Sequence, residues 1–470
     1  MDGEPLDRAS AGAIGPASSI GNLFHVFADD CGGDGGDDTA DSDDTFPQGK
    51  PCPPAPAHDI ASWPRFRGTN INAISAEQIP LTNFSGGQPP NILWTIDLGE
   101  GHAAPAVHSG RVYVLDYDEN EEADYLRVFS LETGQEIWRR GYNVKVRRNH
   151  GMSRTIPAVT DSAVVTIGPM CHVMAAHTQT GEFLWGIDLV KEYGSTVPLW
   201  YTGQCPLIDD TVVVIAPSGP RALMIGVHKM TGEILWETPN RHNWKMSHSS
   251  IIPMTFGGRK VYVYCASGGI AGVAADGPDR GAVLFESDEF NHPVVAPSPV
   301  QISNNRIFMT AGYGAGSAVF QVSHTDGADG RRFSITLVNR YGVREALASE
   351  QQTPLYHNGQ LCAVLPKDAG PHRDRFVCVN ENTPEKINWT SGQDILFGLG
   401  PFIIADNRFY ILSDEGTLVT AAATPRRFEK QGAAKITHGV DAWGPMALVE
   451  GKLLLRDSRK MFCVDVTMGR

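Results

Sequence analysis

A short motif recurs along this sequence at a nearly constant interval. Its three clearest copies, residues 133–138, 180–185 and 231–236, read Thr-Gly followed by Glu or Gln, two further residues and Trp. The closing residues Trp138, Trp185 and Trp236 are separated by 47 and 51 positions. Glycine supplies the positive φ of a tight hairpin, and a period near fifty residues indicates a repeat architecture. The chain is therefore predicted to fold as a series of similar hairpin units.

A second recurrent feature is a strand start led by proline. The positions are Pro105, Pro157, Pro206, Pro299, Pro354, Pro401 and Pro445, with Ile251 in the one copy that lacks proline. After each comes a polar turn and a β-branched run, and this alternation predicts antiparallel meanders. Four strands in each of eight units predict an all-β, eight-bladed β-propeller of four-stranded antiparallel blades.

The strand at the start of the repeat region can complete the blade at its end. The last unit has only three predicted strands, whereas residues 91–98 form a strand without neighbours in sequence. We expect this N-terminal strand to complete the last blade and to remove an open sheet edge. The predicted division is a disordered, acidic and Pro-rich tail and linker at 1–60, followed by the propeller at 61–470.

Composition and charge narrow the classes of function. The 470 residues carry a formal net charge of −14, which argues against a nucleic-acid partner or an anionic membrane. No apolar run of 18 residues occurs, so no transmembrane helix is predicted. The N-terminus as written shows no signal peptide. Either the protein stays in the cytoplasm or its export signal lies outside this sequence.

The cysteines exclude some chemistry and leave one question open. The eight Cys residues form neither a Cys-x-x-Cys pair, nor an adjacent pair, nor a Cys-x-x-Cys-His haem site. Structural metal and c-type haem are therefore not expected. Cys362 and Cys378 fall on neighbouring predicted strands and could form a disulfide, but two buried free thiols are the favoured interpretation.

The hairpin motif at residues 133–138, 180–185 and 231–236 resembles that of the PQQ-like (pyrroloquinoline-quinone-like) β-propeller repeat family. Residues 63–68, 192–206 and 311–314 are similar to uncharacterised members from planctomycete-type bacteria. The resemblance covers about residues 61–470. The family includes quinoprotein dehydrogenases and the scaffold lipoprotein of the outer-membrane β-barrel assembly machinery, and it implies a periplasmic or secreted location. It is specific for fold and weak for function.

The resemblance to quinoprotein dehydrogenases can be compared with the residues present. Those enzymes hold the quinone in the central channel, on a Trp floor and beneath a disulfide of adjacent Cys residues, with Ca²⁺ bound by a Glu and an Asn. This sequence has no adjacent Cys pair, and no segment matches the Ca²⁺ ligands. No cofactor is therefore expected, and PQQ with Ca²⁺ is kept as the alternative.

Residues just before each innermost strand should line one mouth of the central channel. The candidate ligand-binding residues there are His102, Arg154, Gln204, His248, Gln351, Gln352 and Trp443, with Trp200 overhanging the same mouth. Converging polar groups beside an aromatic wall suit a small polar ligand. The alternative is that these groups only satisfy backbone and water at an open channel. His102, His150 and His248 could bind a metal only if the channel brought them together.

The leading hypothesis is a non-catalytic binding or scaffold protein, a monomer that engages a protein partner or a small polar ligand. The alternative is a quinoprotein-type oxidoreductase with a cofactor in the channel. A third possibility is a carbohydrate-active or lyase-type propeller, in which the His, Arg and Gln residues of the channel would be catalytic. No catalytic residue is assigned.

Overall fold

The computed structural model describes residues 62–85, 90–327 and 330–468. The predicted tail at 1–60 lies outside these residues, so the proposed domain division stays a prediction. Within the described part, eight four-stranded antiparallel sheets form the eight blades of a β-propeller. The predicted fold class is confirmed.

The strands of the first four blades run from the channel outwards in sequence order, after a first strand, β1 (Asn91–Asp97), that precedes them. Blade 1 contains β2 (Ala106–His108), β3 (Arg111–Asp118), β4 (Ala123–Ser130) and β5 (Glu136–Asn143). Blade 2 contains β6 (Ala158–Val159), β7 (Ala163–Ile167), β8 (His172–His177) and β9 (Phe183–Asp188). Blade 3 contains β10 (Leu207–Asp209), β11 (Val212–Ile215), β12 (Met224–His228) and β13 (Ile234–Thr238). Blade 4 contains β14 (Ile252–Phe256), β15 (Arg259–Ala266), β16 (Gly269–Ala274) and β17 (Val283–Ser287).

The remaining blades follow the same order until the last. Blade 5 contains β18 (Val300–Ile302), β19 (Arg306–Ala311) and a long hairpin of β20 (Gly316–Gly327) and β21 (Gly330–Tyr341). Blade 6 contains β22 (Leu355–His357), β23 (Gln360–Val364), β24 (Phe376–Asn380) and β25 (Thr383–Thr390). Blade 7 contains β26 (Phe402–Ala405), β27 (Arg408–Leu412), β28 (Thr417–Ala422) and β29 (Lys430–Lys435). Blade 8 contains β30 (Ala447–Val449), β31 (Lys452–Arg456) and β32 (Lys460–Asp465), and its outer strand is β1.

Strand β1 closes the ring as the sequence predicts. It pairs antiparallel with β32, from Asn91 opposite Asp465 to Asp97 opposite Lys460. The last blade thereby gains its fourth strand from the N-terminal side of the repeats. A single closure accounts for both the isolated strand and the incomplete last unit.

The recurrent glycine and tryptophan fit together between neighbouring blades. Gly134, in the turn of blade 1, has a φ of 71°, and a Cβ atom placed there would come within 2.8 Å of the Trp94 ring on β1. A Cβ atom on Gly181 would likewise come within 2.7 Å of the Trp138 ring. Only glycine meets both demands, the positive φ and the close approach. The repeated motif therefore joins each hairpin turn to the tryptophan of the preceding blade.

Helices are rare in the described part of the chain. An α-helix, α1 (Leu189–Tyr193), begins at Asp188, whose side chain accepts from the amides of Val190 and Lys191, and ends at Gly194 in the left-handed conformation. A 3₁₀ turn spans Gly370–His372. None of the helices found in residues 62–85, 90–327 and 330–468 is long and apolar enough to span a bilayer.

The cysteine pair of blade 6 differs from the favoured interpretation of the sequence. Cys362 on β23 lies directly opposite Cys378 on β24, and the structure joins the two as a disulfide. The favoured interpretation of two buried free thiols was therefore wrong, because the register of β23 and β24 places the two residues directly opposite each other. Cys171, Cys205, Cys265 and Cys463 are free and buried.

Residues 63–75, which we call the floor segment, lie against the innermost strands of several blades. Their backbone bonds to β2, β6 and β26, and the Arg65 guanidinium donates to the Ile208 carbonyl of β10 at 2.7 Å. Phe66, a residue of this segment, lines the channel. The chain upstream of β1 therefore has a second role besides supplying the closing strand, because it ties inner strands of several blades together.

Arg67 anchors the floor segment. Its Nε donates to the Ile71 carbonyl, its Nη1 to the Thr353 carbonyl, and its Nη2 to the carbonyls of Asn72 and Pro354, at 2.6 to 3.3 Å. Burial lowers the pKa of Arg67 to about 9. All three guanidinium nitrogens are therefore engaged by backbone oxygen, which offsets the loss of hydration.

Candidate functional site

A cavity of about 380 Å³ lies at the channel mouth, among the loops that precede the innermost strands. Seven of the eight candidate residues line it: His102, Arg154, Trp200, His248, Gln351, Gln352 and Trp443. Each of the eight blades contributes at least one residue, since Tyr313 comes from blade 5 and Leu399 from the loop before blade 7. The structure thus brings most of the predicted set together, while their binding role stays a prediction.

Gln204 does not line this cavity. Its side chain is fully buried, where Oε1 accepts from the Ala216 amide at 2.8 Å and Nε2 donates to the Ala216 carbonyl at 3.1 Å. The amide group therefore caps the end of β11 from within the blade. By contrast, Gln352 donates across blades, from Nε2 to the Trp443 carbonyl at 2.8 Å.

Stacked rings form two aromatic walls. The His102 ring lies on the Trp443 ring, with centroids 3.5 Å apart and planes 18° from parallel. On another side, Trp200 stacks on Tyr313 at 5.5 Å and on His248 at 6.5 Å. These pairs present flat, amphipathic faces to a ligand.

Several loops around the mouth hold a non-glycine residue at positive φ. They are His150 at 50°, Trp200 at 62°, Tyr201 at 72°, Tyr313 at 58° and Asp441 at 58°. Two consecutive residues of this kind, Trp200 and Tyr201, turn the loop before blade 3 over the cavity. A bulky residue in the left-handed backbone conformation is strained. Such residues cluster at functional sites, where the surrounding structure holds the loop in place.

Two of the histidines that line the cavity, His102 and His248, are held neutral. Burial, with the nearby Arg154 charge, lowers the pKa of His248 to about 4. Burial and the charges of Arg456 and Arg154 place the pKa of His102 well below its usual range, against opposing backbone contacts from His150 and Asp441. Near pH 7 both imidazoles therefore offer one donor and one acceptor nitrogen rather than positive charge.

Arg154 lies between the two walls. Its Nη2 donates to the His150 carbonyl at 2.5 Å and to the Asn149 and Gly151 carbonyls at 3.3 Å. Its guanidinium carbon lies 5.6 Å from the centre of the Trp443 ring. Burial lowers the pKa of Arg154 to about 10, still well above neutral, so the side chain stays charged.

Further residues reach the cavity that sequence reasoning did not identify. Glu350, Lys367, Cys205 and Tyr313 line it, and Phe66 comes from the floor segment. The resemblance to family members covers Phe66, Cys205 and Tyr313, but it gave no reason to place their side chains in the channel. Cys205 and Glu350 directly adjoin the predicted Gln204 and Gln351, and the blade repeat does not show which neighbour turns towards the cavity. Lys367 lies in the β23–β24 connection of blade 6, which the repeat does not indicate.

The residues present do not fit the quinone and Ca²⁺ arrangement. The described residues contain no group of three or more His, Cys, Asp or Glu side chains placed to hold a metal ion, and this includes His102, His150 and His248. The disulfide Cys362–Cys378 lies within blade 6 rather than among the residues that line the cavity. The side chains of the mouth therefore assign no redox step, and the absence of a cofactor stays a prediction.

The fold and cavity define an eight-bladed β-propeller with a central pocket. A family model described as outer membrane protein assembly factor BamB matches residues 122–332. This match and the four-stranded blades support assignment to the PQQ-like β-propeller family, as the repeated hairpin motif predicts. No curated protein matches the sequence significantly.

Solved structures with the same fold are distant in sequence. BamB from Moraxella catarrhalis is 13% identical, with a TM-score of 0.51, and the match covers 80% of this chain and 99% of that one. The computationally designed Ika8 protein is 12% identical, with a TM-score of 0.52 and the same two coverages. At these identities the likeness shows the fold alone.

Proposed function

We propose that this protein is a non-catalytic binding protein whose channel mouth takes up a small polar ligand. The observation that supports the proposal is the convergence of residues from all eight blades on one cavity of about 380 Å³. Neutral imidazoles, amides and a charged guanidinium there lie beside aromatic walls. A pocket of this size with few convergent polar groups suits a small ligand.

Trp200 offers a direct test. We expect native mass spectrometry of the protein, purified mildly from its own host, to show a bound small molecule. Trp200→Ala should lose that molecule while the melting temperature changes little, because Trp200 is only half-buried at the cavity rim. An unliganded wild type that also binds nothing from a metabolite extract would overturn the proposal.

A wider scaffold role is supported by the family model's description as an outer membrane assembly factor. Exposed apolar side chains lie in the same mouth loops, with Leu199 60% and Val440 67% exposed. If these side chains contact a protein partner, Leu199→Asp should reduce its capture. Val338→Asp is the matched control, because Val338 is 50% exposed on the outer strand of blade 5.

We also propose export from the cytoplasm, in keeping with the family resemblance. Fractionation of the native host, with a cytoplasmic and a periplasmic marker protein, would test the location. Recovery with the cytoplasmic marker would contradict it.

A further inference from the structure

Arg154 keeps hydrogen-bonding capacity that the protein does not use. All three of its hydrogen bonds leave from Nη2, whereas its buried Nε has no partner among the described residues. An arginine has five N–H donors in a rigid plane, and a buried donor without a partner is unfavourable. The unused edge of the guanidinium therefore marks a place for an acceptor.

The charge of Arg154 also lacks a partner. Among the described residues no carboxylate forms a salt bridge with it, and only Tyr313 and Tyr201 act electrostatically against the effect of burial. Buried arginines are normally paired with carboxylate or phosphate, because an isolated charge loses hydration without compensation. The acceptor that Arg154 lacks is thus an anion.

The surrounding charges limit how negative that anion can be. Glu350 lines the same cavity, and its own pKa is raised by burial, while the Lys367 charge opposes that rise. Asp441 stands exposed at the rim. Both carboxylates would repel a multiply charged ligand. Lys367 also lines the cavity, but its charge acts on Glu350, so the guanidinium of Arg154 is the cation left for a single negative charge. His102 and His248 add no positive charge near pH 7.

We infer that the cavity binds a flat organic monocarboxylate, with its carboxylate on the guanidinium of Arg154 and its planar group against the aromatic walls. This inference rests on the proposed function and names its ligand class. A carboxylate matches the planar fork of a guanidinium in two hydrogen bonds. The stacked rings of Trp443 and Trp200 suit a flat group better than a branched one.

Isothermal titration at pH 7.5 in low-chloride buffer tests the inference with matched probes. Benzoate should bind, while benzamide, which has the same shape without charge, should bind at least tenfold more weakly. Acetate, which lacks the ring, and inorganic phosphate, which carries more charge, should also bind more weakly than benzoate. The benzoate affinity should fall as salt is added.

Two substitutions assign the effect to one side chain. Arg154→Gln should weaken benzoate at least tenfold, and Arg154→Lys should weaken it less, because it keeps the charge but not the fork. Arg147→Gln is the control, since Arg147 is exposed in the same loop and does not line the cavity. Native-like melting of each variant should accompany the titrations.

The outcomes separate the inference from the proposed function. Equal affinity for benzoate and benzamide, absence of benzoate binding, or full affinity in Arg154→Gln overturns the carboxylate inference. If an uncharged molecule is still recovered with the wild type and lost in Trp200→Ala, the proposed function stands without it. If neither a probe nor a compound from the extract binds, the carboxylate inference and the proposed function are both wrong.

Discussion

Two half-buried arginines, Arg67 and Arg154, lie along the same channel, and neither has a carboxylate partner within the described part of the chain. Arg67 in the floor segment uses all three guanidinium nitrogens on four backbone carbonyls. Arg154 at the mouth uses only Nη2 and leaves its buried Nε without a partner among the described residues. Both side chains carry the same charge. Every guanidinium nitrogen of Arg67 has a hydrogen-bond acceptor, whereas Nε of Arg154 has none among the described residues.

The difference separates a structural arginine from one that we propose binds a ligand. A saturated arginine ties distant strands together, and Arg67 reaches Thr353 and Pro354 from the other end of the sequence. Arg456 shows the same pattern in blade 8, with Nε, Nη1 and Nη2 all donating to carbonyls. An unsaturated arginine retains the means to bind something else.

The largest expected effect is at the floor. Arg67→Met leaves four carbonyls of the inner channel without a donor, so the free energy of unfolding should fall by about 3 to 5 kcal/mol. Urea denaturation followed by far-ultraviolet circular dichroism measures the change. A fall in unfolding free energy of less than about 1 kcal/mol would show that Arg67 is no more structural than Arg154.

Asp124 extends the comparison to a buried carboxyl group next to the mouth. It accepts from the Tyr142 hydroxyl at 3.0 Å and from the Ser153 hydroxyl at 3.2 Å, and Ser153 directly precedes Arg154. Burial raises the pKa of Asp124 to about 7. The folded state therefore holds this proton more tightly than the unfolded state does.

The sign of the pH dependence follows from that shift. The stabilisation is complete below about pH 4, where both states are protonated, and is lost as pH rises to about 7. Relative to Asp124→Asn, the wild type should lose up to about 4 kcal/mol of unfolding free energy between pH 4 and pH 8.5. Denaturation of the wild type and of Asp124→Asn at the two pH values measures this difference. The same change in unfolding free energy in both proteins would contradict the prediction.

Gln204 and Gln351 give a smaller comparison of the same kind. Gln204→Ala leaves the Ala216 amide and carbonyl unpaired in a buried blade, which should destabilise the fold by about 2 kcal/mol. Gln351→Ala at the cavity should change stability by less than about 0.5 kcal/mol. Thermal melts of both variants measure the two stability changes. Equal losses of stability would show that both glutamines have a structural role.

The smallest expected effect on stability is at Arg154. Arg154→Met removes a half-buried charge that has no carboxylate partner among the described residues, so the unfolding free energy should stay within about 1 kcal/mol of the wild type or rise. The measurement is the one used for Arg67→Met. A loss as large as at the floor would show that Arg154 is part of the framework instead.

Much of the fold could be predicted because each blade repeats local chemistry. The positive φ of Gly134 and Gly181 and the tryptophan that follows are properties of a few neighbouring residues. The blade count and the closing strand followed from their spacing. The floor segment was not predictable, because Arg67 meets partners more than 280 positions away, and no local pattern encodes such contacts.

The sequence predicted which loops form the candidate site, but not which of their side chains enter it. Position before an inner strand identifies residues near the mouth, and this placed His102 and His248 in the cavity. It does not give side-chain direction, so Gln204 was chosen although it turns into its own blade. Nor does it reveal which polar atoms lack a hydrogen-bond partner, such as Nε of Arg154.

Ring closure has a consequence for how the chain is made. More than 350 residues separate β1 from the strand β32 that completes its blade. At 5 to 20 residues per second, the ribosome needs roughly 20 to 70 seconds between the two. During that time the hydrogen-bonding edge of β1 is open to other chains, so biosynthesis of this propeller has an interval of aggregation risk that ends only when the ring shuts.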